Sequence, residues 1–209
     1  MAVDLAKLNA DIQSYYKDHW IYDYTINEDL TITAGNDWCK KNFTSLSKSL
    51  FRGKDIMICD TKSGILPLVC AMEGANHVQA FEVQEYDIDI LSRACEFLNL
   101  QGKITINNQN AFVIDQSEVF IDQDNVDSVD YLVSVVNLSW KYYNKTLGFD
   151  GITKVSHLYT RHGLLTDFPN PQNMPEEYNE ENYITSLEKY YNTVACWSGY
   201  FLATSKKDV

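Results

Sequence analysis

Residues 53–83 read GKDIMICDTKSGILPLVCAMEGANHVQAFEV. The short apolar run Ile56–Cys59 predicts a strand covered on both faces, because buried parallel strands carry continuous apolar side chains. An apolar helix follows, with Pro67 near its start and Gly74 at its end, the usual positions for these two residues. A second apolar strand then ends at Glu82. This strand–helix–strand order predicts a parallel β-sheet.

The same alternation continues toward the C-terminus. Right-handed crossovers between parallel strands then predict a doubly wound, Rossmann-like α/β sheet. The polar, proline-containing stretch 169–182 is predicted to be a loop, and a late helix with a final strand or hairpin follows it. The elements expected in between are a helix over 86–102, a strand over 103–112, a strand over 128–138, a helix around 149–160 and a strand over 163–168.

An N-terminal extension precedes this core. Apolar residues at helical spacing predict a helix over 3–18, and a second helix is expected over 37–50. Between them, the aromatic and β-branched stretch 19–38 predicts irregular or extended structure. We therefore expect a single domain over 1–209, with a helical, aromatic cap segment over 1–50 and an α/β core over 51–209.

The composition narrows the class of function. The chain has 17 Lys and Arg against 29 Asp and Glu, a net charge of -12, which argues against sequence-independent nucleic-acid binding. Five cysteines without a C-x-x-C pair predict reduced, mostly buried thiols. No stretch is apolar for the length of a membrane span, and the N-terminus shows no signal-peptide pattern. We expect a cytoplasmic protein.

The fold class predicts where a ligand binds. In doubly wound sheets the ligand lies at the carboxyl ends of the strands, which places the cleft at the turn 59–64. Glu82 ends the second strand, where a carboxylate can accept both hydroxyls of a ribose. The alternative for Glu82 is a solvated surface acid. The four histidines show no metal-ligand spacing, so no metal site is predicted.

This stretch resembles class I S-adenosylmethionine-dependent methyltransferases over roughly residues 53–166. The matching positions are Gly53, Lys54, Gly64, Ile65, Leu66, Gly74, Ala75, Val78, Ala80 and Glu82. The resemblance implies that S-adenosylmethionine is the cofactor, with Glu82 at its ribose and Asp60 and Gly64 at its methionine part. It also places Asn110, Ala111 and Phe112 at the adenine. For these three the alternative is a strand-end turn with a core phenylalanine.

The loop also departs from the methyltransferase pattern. Ile58 stands in place of the strand-end acid, and Asp60 and Lys62 replace the first two loop glycines. Those glycines permit positive φ and close approach of the backbone to the cofactor. If the cofactor binds, Lys62 must turn away from the cleft. If the site is lost, Lys62 is expected to occupy it, paired with Glu82 or Asp60.

Two functions therefore remain open. The first is a methyltransferase acting on a small-molecule or protein acceptor. The second is a catalytically inactive methyltransferase fold that serves as a binding or structural subunit, in contact with a protein partner or in a homo-oligomer. Candidates for the substrate cleft are aromatic and polar residues near the predicted strand ends and in the N-terminal extension: Trp20, Tyr22, Trp38, Asn137 and Trp140.

Overall fold

A computed structural model describes residues 2–14, 23–35, 43–62, 64–115, 118–121, 129–134, 151–167, 179–197 and 200–209. The chain divides into two compact units, Met1–Gln109 and Asn110–Val209. No helix in the described part of the chain is both long enough and apolar enough to cross a membrane.

The first unit begins with the N-terminal extension. Its elements are helix α1 (Leu5–Ser14), an antiparallel hairpin of β1 (Tyr24–Ile26) and β2 (Ile32–Ala34), and a π-helix (Ser47–Phe51). The side-chain amide of Asn9 donates to the carbonyl of Ile26 and accepts from its N–H, both at 2.9 Å. This pair of hydrogen bonds fixes the hairpin against α1. The predicted first helix is confirmed within its described part, and the predicted extended stretch contains the hairpin.

Three parallel strands follow in the first unit. In chain order the elements are β3 (Asp55–Ile58), α2 (Leu66–Met72), β4 (His77–Glu82), α3 (Glu85–Phe97) and β5 (Ile104–Asn108). The strands lie in the order β3-β4-β5, with Ile58 opposite Ala80 and Glu82 opposite Asn108. The predicted strand–helix alternation is therefore confirmed here, and it brings the ends of β3 and β4 to one edge.

The second unit contains a small hairpin and four further strands. Its elements are β6 (Phe112–Asp115), β7 (Glu118–Ile121), β8 (Val129–Ser134), α4 (Gly151–Tyr159), β9 (Thr160–Asp167), α5 (Glu180–Tyr190), β10 (Tyr191–Trp197) and β11 (Tyr200–Lys206). Strand β8 is parallel to β9, and β11 lies antiparallel between β9 and β10. A Cβ on Gly163 of β9 would lie 2.1 Å from the carbonyl oxygen of Ala203, so these two backbones approach closely.

Several predicted boundaries were wrong. The helix predicted to end at residue 102 ends at Phe97, and the strand predicted to begin at residue 163 begins at Thr160. The third strand ends at Asn108 instead of running on to Phe112, because Phe112 begins the separate β6–β7 hairpin. The predicted loop 169–182 overlaps helix α5 at its end. Asn179 begins that helix, since its side-chain oxygen accepts from the N–H of Asn182 at 2.9 Å.

The thiols are placed largely as predicted. Cys59, Cys70 and Cys95 are free and buried, whereas Cys196 is exposed; Cys39 lies outside the described residues. Burial raises the pKa of both the Cys70 and the Cys95 thiol to about 12. A thiol with such a pKa is protonated at neutral pH and is a poor nucleophile.

Candidate cofactor site

The turn after β3 has the backbone of a glycine-rich loop without most of its glycines. Asp60 and Lys62 both adopt left-handed conformations, with φ of 52° and 51°. The N–H of Thr61 donates to the carbonyl of Phe81 at 3.0 Å, and the N–H of Gly64 donates to that of Thr61 at 3.2 Å. The loop is thus tied to the end of β4 by its own backbone.

Glu82, at the end of β4, is 1% exposed. Its Oε1 accepts from the N–H groups of Val83 and Gln84 at 2.8 and 2.9 Å, and its Oε2 accepts from the N–H of Lys62 at 2.8 Å. Gln84 is the N-cap of α3, so the carboxylate also lies at a helix amino end, which favours negative charge. Glu82 is therefore no solvated surface acid; its carboxylate joins the loop to the start of α3.

The ammonium of Lys62 lies between two acids. Its Nζ is 2.7 Å from Oδ1 of Asp60 and 3.6 Å from Oε2 of Glu82. The Lys62 side chain is 19% exposed, that of Asp60 is 11% exposed, and that of Glu82 is wholly buried. Burial lowers the pKa of Lys62, but the hydrogen bond and charge of Asp60 and the charges of Glu82 and Asp87 outweigh it. The net result is a raised pKa. We call Asp60, Lys62, Glu82 and Asp87 the acidic cluster.

No pattern in the sequence singles out Asp87, the third residue of α3. It is 2% exposed, and an acid in the first turn of a predicted helix is usually solvated. Tyr24 of β1 is also buried, and its pKa is raised by burial and then by the charges of Cys95 and Asp87. The hydrophobic spacing of the N-terminal extension predicted its helix but carried no sign that Tyr24 would be fully buried.

Helix α1 is anchored on the same helix α3. The guanidinium of Arg93 lies 2.9 Å from the Asp11 carboxylate and 2.7 Å from that of Asp89. The hydroxyl of Tyr86 lies 3.1 Å from Oγ of Ser14. The N-terminal extension is thus held beside the helix that follows Glu82.

The predicted site residues fall in the first unit, in the second unit or outside the described residues. Asp60, Gly64 and Glu82 belong to the first unit, where the structure brings Asp60 and Glu82 onto the same lysine. In the second unit, Asn110 is exposed, Ala111 is 6% exposed, and Phe112 begins β6. The predicted cleft residues Trp20, Tyr22, Trp38, Asn137 and Trp140 lie outside the described residues. Among the residues that are described, no group of three or more His, Cys, Asp or Glu is arranged to hold a metal ion.

Comparison with known proteins identifies the fold. No protein-family model matches the chain, and no curated protein matches it. Among solved structures, a candidate O-methyltransferase from Klebsiella pneumoniae is 13% identical, with a TM-score of 0.62 and coverage of 97% of this chain and 90% of that one. A candidate RNA methyltransferase from Pyrococcus horikoshii is 15% identical, with a TM-score of 0.54 and coverage of 96% and 97%.

A third similar structure, magnesium protoporphyrin IX methyltransferase from Synechocystis, was solved with bound S-adenosylmethionine. It is 12% identical, with a TM-score of 0.57 and 80% of each chain covered. The chain therefore has the Rossmann-like α/β fold of class I S-adenosylmethionine-dependent methyltransferases. At these identities the likeness concerns the fold and does not specify an acceptor.

The cofactor does not fit the loop in the conformation described. A ribose bound at Glu82 would need an exposed carboxylate oxygen, but the Glu82 side chain has no exposed surface. The lysine ammonium lies against the same carboxylate. Lys62 is thus found where the sequence analysis expected it for a closed site.

Proposed function

We propose that the chain is an S-adenosylmethionine-dependent methyltransferase acting on a small-molecule or protein acceptor. One observation carries this proposal: residues 60 and 62 keep the left-handed backbone of a cofactor loop although neither is a glycine. Left-handed non-glycine residues cost free energy and persist only where the surrounding structure imposes them. A left-handed backbone at both positions supports a cofactor site at this turn, with the flexible side chain of Lys62 in the place of a ligand.

A second feature of the loop supports the same proposal. The hydroxyl of Thr61 is buried and has no hydrogen-bond partner within the described part of the chain. Buried polar atoms without a partner are uncommon in folded proteins, and an absent ligand is one explanation for them. With Lys62 withdrawn, Glu82 would face the ribose, and Asp60 and Gly64 the methionine part.

The charge of the chain guides the choice of acceptor. A net charge of -12 disfavours binding along a nucleic-acid backbone, since such binding depends on Lys and Arg at the phosphates. A small molecule or a protein is the acceptor class that this surface suits better. We also propose a cytoplasmic location, where the free thiols Cys59, Cys70 and Cys95 would stay reduced.

The direct test is titration calorimetry with S-adenosylmethionine, with methionine alone as the control ligand. We expect saturable binding of S-adenosylmethionine that methionine does not reproduce. No heat at millimolar S-adenosylmethionine, from a protein that circular dichroism shows to be folded, would contradict the proposal.

A catalytically inactive binding or structural subunit is the second candidate. The observation that favours it is the contact of the Lys62 ammonium with Glu82, which closes the site without a ligand. Such a subunit has a partner, either another protein or a second copy of the chain. A strict monomer by light scattering that also copurifies with no other protein would count against this role.

A further inference from the structure

The contacts of Lys62 within the acidic cluster close the candidate site. Lys62 reaches Asp60 at 2.7 Å and Glu82 at 3.6 Å, and its side chain is 19% exposed. A lysine ammonium donates hydrogen bonds and so do the hydroxyls of a ribose, so both suit the same carboxylate acceptor. Lys62 therefore occupies the kind of position at Glu82 that the ligand itself would take.

The charge balance of the cluster holds Lys62 in place. Asp60, Glu82 and Asp87 all act on this single ammonium and together raise its pKa. Withdrawal of Lys62 would leave Asp60 and Glu82 without the cation that lies between them, and like charges at close range repel. Lys62 is therefore expected to leave only when a ligand brings hydrogen-bond donors or positive charge in its place.

The loop itself does not depend on the Lys62 side chain. The backbone N–H of Lys62 bonds to Glu82, that of Thr61 to Phe81, and that of Gly64 to Thr61. A side chain can rotate while these backbone bonds stay intact, because rotamer changes are local.

We propose that Lys62 is a built-in plug of the cofactor site, and that ligand binding requires its ammonium to leave Asp60 and Glu82. This inference rests on the proposed function. A site that is open only part of the time binds with an apparent Kd equal to the intrinsic Kd divided by the open fraction. Removal of the plug should therefore tighten binding without adding any contact to the ligand.

The experiment compares the full-length wild type with Lys62→Ala by calorimetry, using S-adenosylmethionine and S-adenosylhomocysteine as probes. Lys7→Ala is the matched control, because Lys7 is an exposed cation on α1 and its removal changes the net charge equally. We expect Lys62→Ala to lower the Kd about tenfold or more and Lys7→Ala to leave it within about twofold. If Lys62→Ala fails to fold, Lys62→Gln removes the charge and keeps most of the side-chain length.

The outcomes distinguish the role of Lys62 as a plug from the proposed function. Equal, measurable affinity in the wild type and in a folded Lys62 variant would overturn the plug and leave the proposed function standing. No binding by either folded protein would overturn the proposed function and the plug together. Tighter binding by the Lys62 variant alone supports both.

Discussion

Replacement of Glu82 by alanine tests how much the folded state depends on the acidic cluster. The substitution removes the acceptor of three backbone N–H groups, those of Lys62, Val83 and Gln84, and it leaves the Lys62 ammonium without one of its two close acids. A hydrogen bond to a charged group contributes about 1.5–3 kcal/mol. Three such bonds set an upper bound of about 4.5–9 kcal/mol, and contributions from neighbouring groups are not additive.

Water entering the vacated space will satisfy some of the three donors. Breaking a buried ion pair on one side costs about 3–5 kcal/mol, and we expect Glu82→Ala to lower the free energy of unfolding by this amount. Urea unfolding followed by circular dichroism, extrapolated linearly to water, measures the difference. Glu85→Ala is the control, because Glu85 is exposed in the first turn of α3 and should cost at most about 1 kcal/mol. A Glu82→Ala protein as stable as the Glu85→Ala protein would refute the structural role of this carboxylate.

Two further predictions concern Gly163 and Tyr191 of the second unit. Gly163→Ala should lower the free energy of unfolding by more than about 2 kcal/mol or prevent folding, since its Cβ would meet the Ala203 carbonyl at 2.1 Å. Gly102→Ala is the control and should be nearly neutral, because a Cβ at that position meets nothing within 4 Å. Comparable urea midpoints for the two variants would contradict this prediction. Burial raises the pKa of Tyr191 from 10.0 to about 12, although its hydrogen bond to Ser156 opposes the shift. A raised folded-state pKa contributes stability that is fully present below pH 10 and is lost as pH rises toward 12, so Tyr191→Phe should show a shallower fall in melting temperature over that range. An identical alkaline slope in both proteins would argue against a buried neutral tyrosine.

The α/β core was predictable because its strands and helices follow from the local spacing of apolar residues along the chain. The sequence predicts a strand at Ile56–Cys59 and a helix that ends near Gly74, and the structure confirms both elements. The end of the third strand at Asn108 was missed, although Asn107, Asn108 and Asn110 are of a residue type that favours turns. Strand ends depend on which backbone groups find partners, and hydrophobic patterning does not report that.

The position of Glu82 at the end of a strand could be predicted from the sequence, but its contacts could not. The position of Glu82 followed from the spacing of two strands. Its burial did not, because that depends on how the turn into α3 folds back to donate two N–H groups. Asp87, in the first turn of α3, was not singled out from the sequence, and its burial is seen only in the structure.

The loop shows that the loss of a glycine from the sequence does not by itself mean that the left-handed backbone is lost. Glycine is favoured at positive φ because a Cβ there costs about 1–2 kcal/mol, yet Asp60 and Lys62 both adopt that conformation. Neighbours must impose it, and the donor bonds from Lys62 to Glu82 and from Thr61 to Phe81 do so. The backbone that would receive a cofactor is thus maintained against its own local preference. In the proposed function, Lys62 and not the lost glycines therefore determines whether this site is open, because a side chain is easier to move than such a backbone is to build.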